Sequence, residues 1–149
     1  MIRIATSADI PSLIFLIECR FLEESGYKAL GVIADPFKTH ASLEALLAGG
    51  GVIYVSEKDG RIVGAIALSR CEMYFSQDPV AIELFWWMHP DHRKGMDGAR
   101  LLMKALEWAK QSGVKFLTMV DIPQVDSNAA RMYERLGGKL MERSWIWRI

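Results

Sequence analysis

Residues 83–102 constrain this chain most, because they prescribe a strand, a basic glycine-containing loop and a helix in immediate succession. The apolar run 84–88 predicts a buried strand, which His89-Pro90 must end because proline cannot donate to a ladder. An amphipathic helix begins near Gly98, with Leu102, Ala105, Leu106 and Ala109 on one face and Lys104, Glu107 and Lys110 on the other. Free N–H groups at a helix start, the positive end of its dipole, and Arg93 and Lys94 beside it make an anion site. The competing reading is a solvated helix entrance. Basic residues there oppose the dipole by roughly a few tenths of a kcal/mol each, and a bound anion reverses that sign. Phosphate or pyrophosphate is the simplest ligand.

Spacing narrows the ligand. A Walker loop would need Gly-Lys-Ser/Thr entering the helix, where this chain has Asp97-Gly98-Ala99. A dinucleotide loop needs three glycines in frame, and only Gly95 and Gly98 are present. Pro90, Arg93 and Gly98, followed by Leu101-Leu102, resemble the acyl-CoA loop of the GNAT N-acetyltransferase superfamily, Gln/Arg-x-x-Gly-x-Gly/Ala. Arg93 takes the first position and Gly98 the last, while Met96 stands at the middle glycine and Gly95 lies one residue early. A second segment, 126–137, resembles the family's later motif, Asn-x-x-Ala-x-x-x-Tyr-Glu-Lys-x-Gly-Phe. Tyr133, Glu134, Arg135 and Gly137 fall in place; Asp126 stands at the asparagine, Asn128 lies two residues on, and Gly138 replaces the phenylalanine. The two motifs in this order extend the resemblance over nearly the whole chain. The run 83–87 is most similar to members carried by phages and prophages.

The resemblance implies a mixed α/β fold, a largely antiparallel sheet flanked by helices, in one domain over residues 1–149. It also implies acetyl transfer from acetyl-CoA to a primary amine, by direct attack in a ternary complex and without a metal. The residues implied to hold acetyl-CoA are the backbones of Trp86, Trp87 and Met88, the loop Arg93, Lys94, Gly95, Met96, Asp97, Gly98 and Ala99, and then Asp126, Asn128 and Tyr133. By its own sequence context Tyr133 is a core tyrosine; the resemblance makes it the acid that protonates the departing thiolate, a role open to a phenol with pKa near 10. Glu83 is the only carboxylate in the apolar strand. It is either a strand-end residue facing water or the general base, for which burial would raise its pKa towards neutrality.

The acceptor is expected to be a small-molecule or peptide amine. Glu23, Glu24, Tyr27 and Asp35 border the acceptor side of the implied fold, and their acidity hints at a cationic amine. A catalytically silent CoA-binding or protein-interaction module is the alternative reading.

Eighteen basic and eighteen acidic residues cancel, so no global field recruits nucleic acid or an anionic membrane. No run reaches the ~20 apolar residues of a membrane span, nor a signal peptide's apolar stretch, which leads us to expect a cytoplasmic protein. Cys19 and Cys71 form no Cys-x-x-Cys pair and read as reduced core residues. His89 and His92 superficially suggest metal ligands, but no cysteine lies near them. Trp145 and Trp147 alternate on one face and read as core or as a homodimer contact.

The remaining elements follow from caps and periodicity. Residues 1–5 predict a strand, and Thr6 with Asp9 a capping box before a helix carrying Ile10, Leu13, Ile14, Ile17 and Phe21. Asp35-Pro36 opens a helix to about Ala48. Strands are predicted over 52–57 and 61–71, joined at Asp59-Gly60, then over 80–88, 115–120 and 139–147, with a helix over 127–136.

Overall fold

The computed structural model of the chain describes residues 1–122 and 128–149. Five strands form one sheet in chain order: β1 (Ile2–Ile4), β2 (Gly51–Lys58), β3 (Arg61–Glu72), β4 (Pro79–Met88) and β5 (Leu117–Thr118). The first four are antiparallel and β5 joins β4 in parallel. This is the mixed, largely antiparallel α/β sheet flanked by helices that the sequence implied. Between β2 and β3, Asp59 (φ 51°) and Gly60 (φ 73°) make the two-residue hairpin turn.

The helices are α1 (Ile10–Leu16), α2 (Leu22–Glu24), α3 (Pro36–Ala45), α4 (Asp97–Gln111) and α5 (Ala129–Arg135). Asp9 sits before α1 and accepts the Thr6 N–H at 2.7 Å and two Arg3 bonds at 2.7 and 2.8 Å, tying the helix entrance to β1. Asp35 Oδ1 accepts from the N–H groups of Phe37 and Lys38 and starts α3, with Pro36 at the first helical position. Two helices predicted as continuous are interrupted by wider turns, Ile17–Phe21 before α2 and Leu46–Gly50 after α3.

Two cores cover the sheet. Phe85, Trp87, Ile53, Val55, Ala65 and Ala67 meet Ile10, Leu13 and Leu16 of α1 and Leu43 of α3. On the other face Val52, Ile66, Leu68 and Met88 meet Leu101 and Ala105 of α4. The side-chain alternation of β4 therefore splits its two tryptophans, Trp87 into the first core and Trp86 against the second. Gly64 lets β3 approach the end of β4: a Cβ there would stand 2.1 Å from Met88 Sδ.

Several expectations are corrected. The predicted strand over 139–147 is absent, because those residues form no ladder and the chain end instead runs beside the loop after α2, where Arg148 approaches Gly31. Trp145 and Trp147 are accordingly not core, at 81% and 74% exposure. β5 keeps only two paired residues of the six expected, and α5 starts at Ala129. Cys19 and Cys71 are free and exposed, on the outer sides of their elements rather than in the core.

Candidate active site

The site begins at an irregularity in β4. Ala67 pairs with Phe85 and Leu68 with Glu83, so Leu84 is an extra residue in the strand, a β-bulge. A bulge bends its strand and re-aims the side chains beside it. On the other edge, β4 pairs with β5 at Ala81–Leu117 and Ile82–Thr118, and among the described residues the ladder stops there. Beyond it, residues 83–88 have an edge left open by the described residues. His89 donates its N–H to Val63 on β3 at 2.8 Å, so alternation turns the Trp86 and Met88 N–H groups towards the open side.

Glu83 and Tyr133, far apart in sequence, meet at this opening. The Glu83 carboxylate accepts the Val120 N–H at 3.0 Å, and the Tyr133 hydroxyl donates to Val120 O at 2.9 Å. Burial pushes the Glu83 carboxyl up to about 7, against the opposing pull of the Val120 N–H and the Tyr133 hydroxyl. A carboxylate at that value is half-charged near neutral pH and is a competent proton acceptor. The Tyr133 phenol is raised too, first by burial and then by the Glu83 and Asp121 charges, so it holds its proton throughout the physiological range. A phenol has one proton. At rest it points to Val120 O, and the Glu83 carboxylate is its other acceptor. The Tyr133 ring lies 5.8 Å from that of Trp86.

The loop from Arg93 to Ala99 leads into α4. Met96 is the residue before the helix and supplies no side-chain cap, so the first N–H groups, those of Asp97, Gly98 and Ala99, are left for a ligand or solvent. Gly98 packs closely but without strain, since a Cβ there would lie 3.6 Å from Met88 and 3.7 Å from Trp86. Lys94, Gly95 and Met96 are exposed around this helix end.

Arg93 faces elsewhere. Its Nε donates to Met88 O at 2.9 Å, its guanidinium pairs with Glu24 on α2, and it lies 5.9 Å from the centre of the Trp87 ring. Asn128 starts α5, where its side-chain oxygen accepts from Arg131. Asp126 lies outside the described residues. The His89 and His92 rings lie tilted to each other with centres 5.8 Å apart, and among the described residues no group of three His, Cys, Asp or Glu side chains converges as a metal site would.

Two contributors, Val120 and Ser56, were not singled out by sequence, and Trp86 and Trp87 were singled out only for their backbones. Val120 acts only through its backbone, which carries no sequence signal. Ser56, fully buried, donates to Asp97 at 3.3 Å and holds the start of α4 against β2. Its signal was a small hydroxyl in a largely apolar strand. The indole N–H groups of Trp86 and Trp87 are both buried with no partner among the described residues.

Comparison with known proteins bears on this geometry. Solved structures with the same fold include a transcriptional regulator from Bacillus halodurans C-125 (21% identity, TM-score 0.77, 100% of this chain and 99% of that one). A predicted acetyltransferase with acetyl-CoA from Clostridium acetobutylicum is similar at 16% identity and TM-score 0.75, covering 99% and 94% of the two chains. An aminoglycoside acetyltransferase from an uncultured soil metagenomic sample, in complex with sisomicin, matches at 18% identity and TM-score 0.69, covering 99% and 93%. No curated protein matches. The profile of the Acetyltransferase (GNAT) family matches residues 19–138, and the chain belongs to that family.

Proposed function

We propose that the protein is an N-acetyltransferase that binds acetyl-CoA between the open edge of β4 and the start of α4, and transfers the acetyl group to a primary amine. The observation that carries this reading is the meeting of Glu83 and Tyr133 at the mouth of the opening between β4 and β5. The uncapped start of α4, with Lys94 beside it, supplies donors for the pyrophosphate. The Trp86 and Met88 N–H groups line the edge along which an amide-bearing arm would pair, and the Trp86 indole N–H, without a partner among the described residues, offers a further donor. Arg93 serves differently: it braces the end of β4 through Met88 O and Glu24, and reaches a phosphate only by releasing them.

Direct attack follows from the same residues. Glu83, as carboxylate, takes the proton from the acceptor ammonium, and the freed amine attacks the thioester carbon. A backbone N–H of β4 stabilises the oxygen charge that develops; as the C–S bond breaks Tyr133 gives its proton to the departing thiolate, and the second proton shed by the nitrogen as the amide forms restores the phenol. Neither exposed cysteine is placed to act as a nucleophile here, since Cys19 lies before α2 and Cys71 near the far end of β3.

Thermal denaturation with acetyl-CoA tests the donor. At a hundredfold excess over Kd the linkage stabilisation is about 2.7 kcal/mol, and desulfo-CoA should retain most of it because its anchor is the pyrophosphate. No shift at millimolar acetyl-CoA would remove the reading. Thiol release with a panel of amines then separates an enzyme from a silent CoA-binding module.

A further inference from the structure

We infer that Arg93, held by Glu24, positions the last residue of the open β4 edge for the arm of an acyl-CoA and marks where that arm must leave the strand. This rests on the acetyltransferase reading above. It makes Arg93 and Glu24 positioning residues that act through Met88.

The direction of the Met88 carbonyl carries the argument. Met88 stands opposite Gly64 on β3, and the bond to β3 at this end comes from the next residue, His89, whose N–H reaches Val63 O at 2.8 Å. In a strand the N–H and C=O of one residue point the same way, so both groups of Met88 face the open edge, as do those of Trp86. An amide-bearing arm pairing along this edge would meet these groups in turn. The last is taken, because Met88 O accepts the Arg93 Nε–H at 2.9 Å. Pairing therefore ends at the Met88 N–H. Here the strand lies against the start of α4, since a Cβ on Gly98 would stand 3.6 Å from Met88 Cγ. An arm coming from the Glu83 end thus finishes beside the free N–H groups of that helix, where its pyrophosphate belongs.

A long side chain keeps such a place only where its remaining freedom is removed. Three contacts remove it: Nε binds Met88 O, the guanidinium pairs with Glu24, and its centre lies 5.9 Å from the middle of the Trp87 ring. Glu24 is itself anchored. Its helix follows directly on Phe21, which packs against the first core and whose carbonyl accepts the Ser25 N–H at 2.9 Å. The Arg93 and Glu24 side chains are 27% and 28% exposed, so water competes for Met88 O once Glu24 no longer holds the guanidinium. Met88 would then be held by β3 alone, and a ligand pairing with it would have to order it first. The carboxylate whose place in the sequence hinted at a cationic acceptor is committed to the donor edge.

The test is calorimetry with two donor probes: desulfo-CoA, and 3′-phospho-ADP, which is CoA without its pantetheine arm. Glu24→Gln removes the charge that holds Arg93. Arg93→Lys replaces the fork that binds Met88 O and Glu24 together with a single charged point. Each should weaken desulfo-CoA by about fivefold. Each should leave 3′-phospho-ADP unchanged, which also shows the variant folded with its helix start intact. The double variant should lose no more than the worse single one, because both act on one carbonyl. Equal loss on both probes would return Arg93 to the phosphate and overturn the inference. Unchanged or tighter desulfo-CoA binding in both variants would also overturn it, by making the pair structural only. In either case wild-type binding of desulfo-CoA leaves the donor reading standing. A wild type that binds neither probe would sink the donor reading and this inference with it.

Discussion

Glu83 and Tyr133 hold the two backbone groups of one residue: Val120 N–H donates to the carboxylate at 3.0 Å and Val120 O accepts from the phenol at 2.9 Å. A carboxylate and a phenol are thereby fixed about a shared residue, on the side of β4 where, among the described residues, its ladder with β5 has ended. Neither group needs to move far to exchange a proton with a ligand lying in the opening.

With burial pushing Glu83 up to about 7, kcat/KM for one acceptor should rise with pH and level off above that value. Glu83→Gln cannot accept the ammonium proton and should lose this limb or fall by on the order of a hundredfold throughout. Superimposable pH profiles for the two proteins would eliminate Glu83 as the base.

Tyr133→Phe should keep acetyl-CoA affinity and lower kcat, by about tenfold or more where chemistry limits turnover. It also frees Val120 O, so a modest loss of stability, about 1 kcal/mol, should accompany it. Full turnover in the mutant, under conditions where chemistry is rate-limiting, would make the phenol structural only.

Arg93 and Lys94 are neighbours with opposite expectations. Arg93→Gln breaks the Glu24 pair, the bond to Met88 O and the contact with Trp87, and should lower stability by about 1–3 kcal/mol. Lys94→Gln, exposed by the start of α4, should leave the melting temperature alone and weaken acetyl-CoA binding, more so at low salt. The reverse pattern in paired denaturation and calorimetry would return Arg93 to the phosphate and remove Lys94 from it.

What sequence could and could not anticipate divides along these residues. α4 announced itself by its period, α3 by Asp35-Pro36 and the hairpin by Asp59-Gly60, because each signal is local. Tyr133 was legible through its motif and Glu83 as the only carboxylate of an apolar strand, yet their meeting point was not, since Val120 contributes only main-chain atoms. The sequence implies a phosphate for Arg93, and its pairing with Glu24, 69 residues away, carries no local signal because only the fold brings the two together. The alternation over 139–147 satisfied a strand pattern, but a strand also needs an edge to pair with, and the chain end lies along the α2–α3 loop instead.

Gly98 offers a paired test of the helix-start anchor. A Cβ there meets only ordinary contacts at 3.6 and 3.7 Å, so Gly98→Ala should fold and still bind acetyl-CoA. Gly98→Pro removes the N–H while keeping a backbone suited to a first helical turn, and should weaken binding by about tenfold or more at small cost to the fold. Equal affinities for the alanine and proline variants would place the phosphate elsewhere.

The proton affinity that suits Glu83 to the proposed role of base should also be visible as a stability cost. Its carboxyl ordinarily titrates at 4.5 and in the fold at about 7, so between these values the native state keeps a proton that the unfolded chain has released. Native protein then binds more protons than unfolded, and stability falls as pH rises through this window. Below 4.5 both states are protonated and the cost is absent; above 7 both are ionised and it is complete, at up to about 3 kcal/mol. Glu83→Gln keeps an oxygen for the Val120 N–H but carries no charge to desolvate. The ligand-free mutant should therefore match wild type near pH 4.5 and melt several degrees higher at pH 8, less stable chemistry exchanged for a more stable fold. A melting difference that is the same at both pH values would mean that Glu83 ionises as freely in the folded protein as in water, and would remove the physical basis for its acting as a base near neutrality.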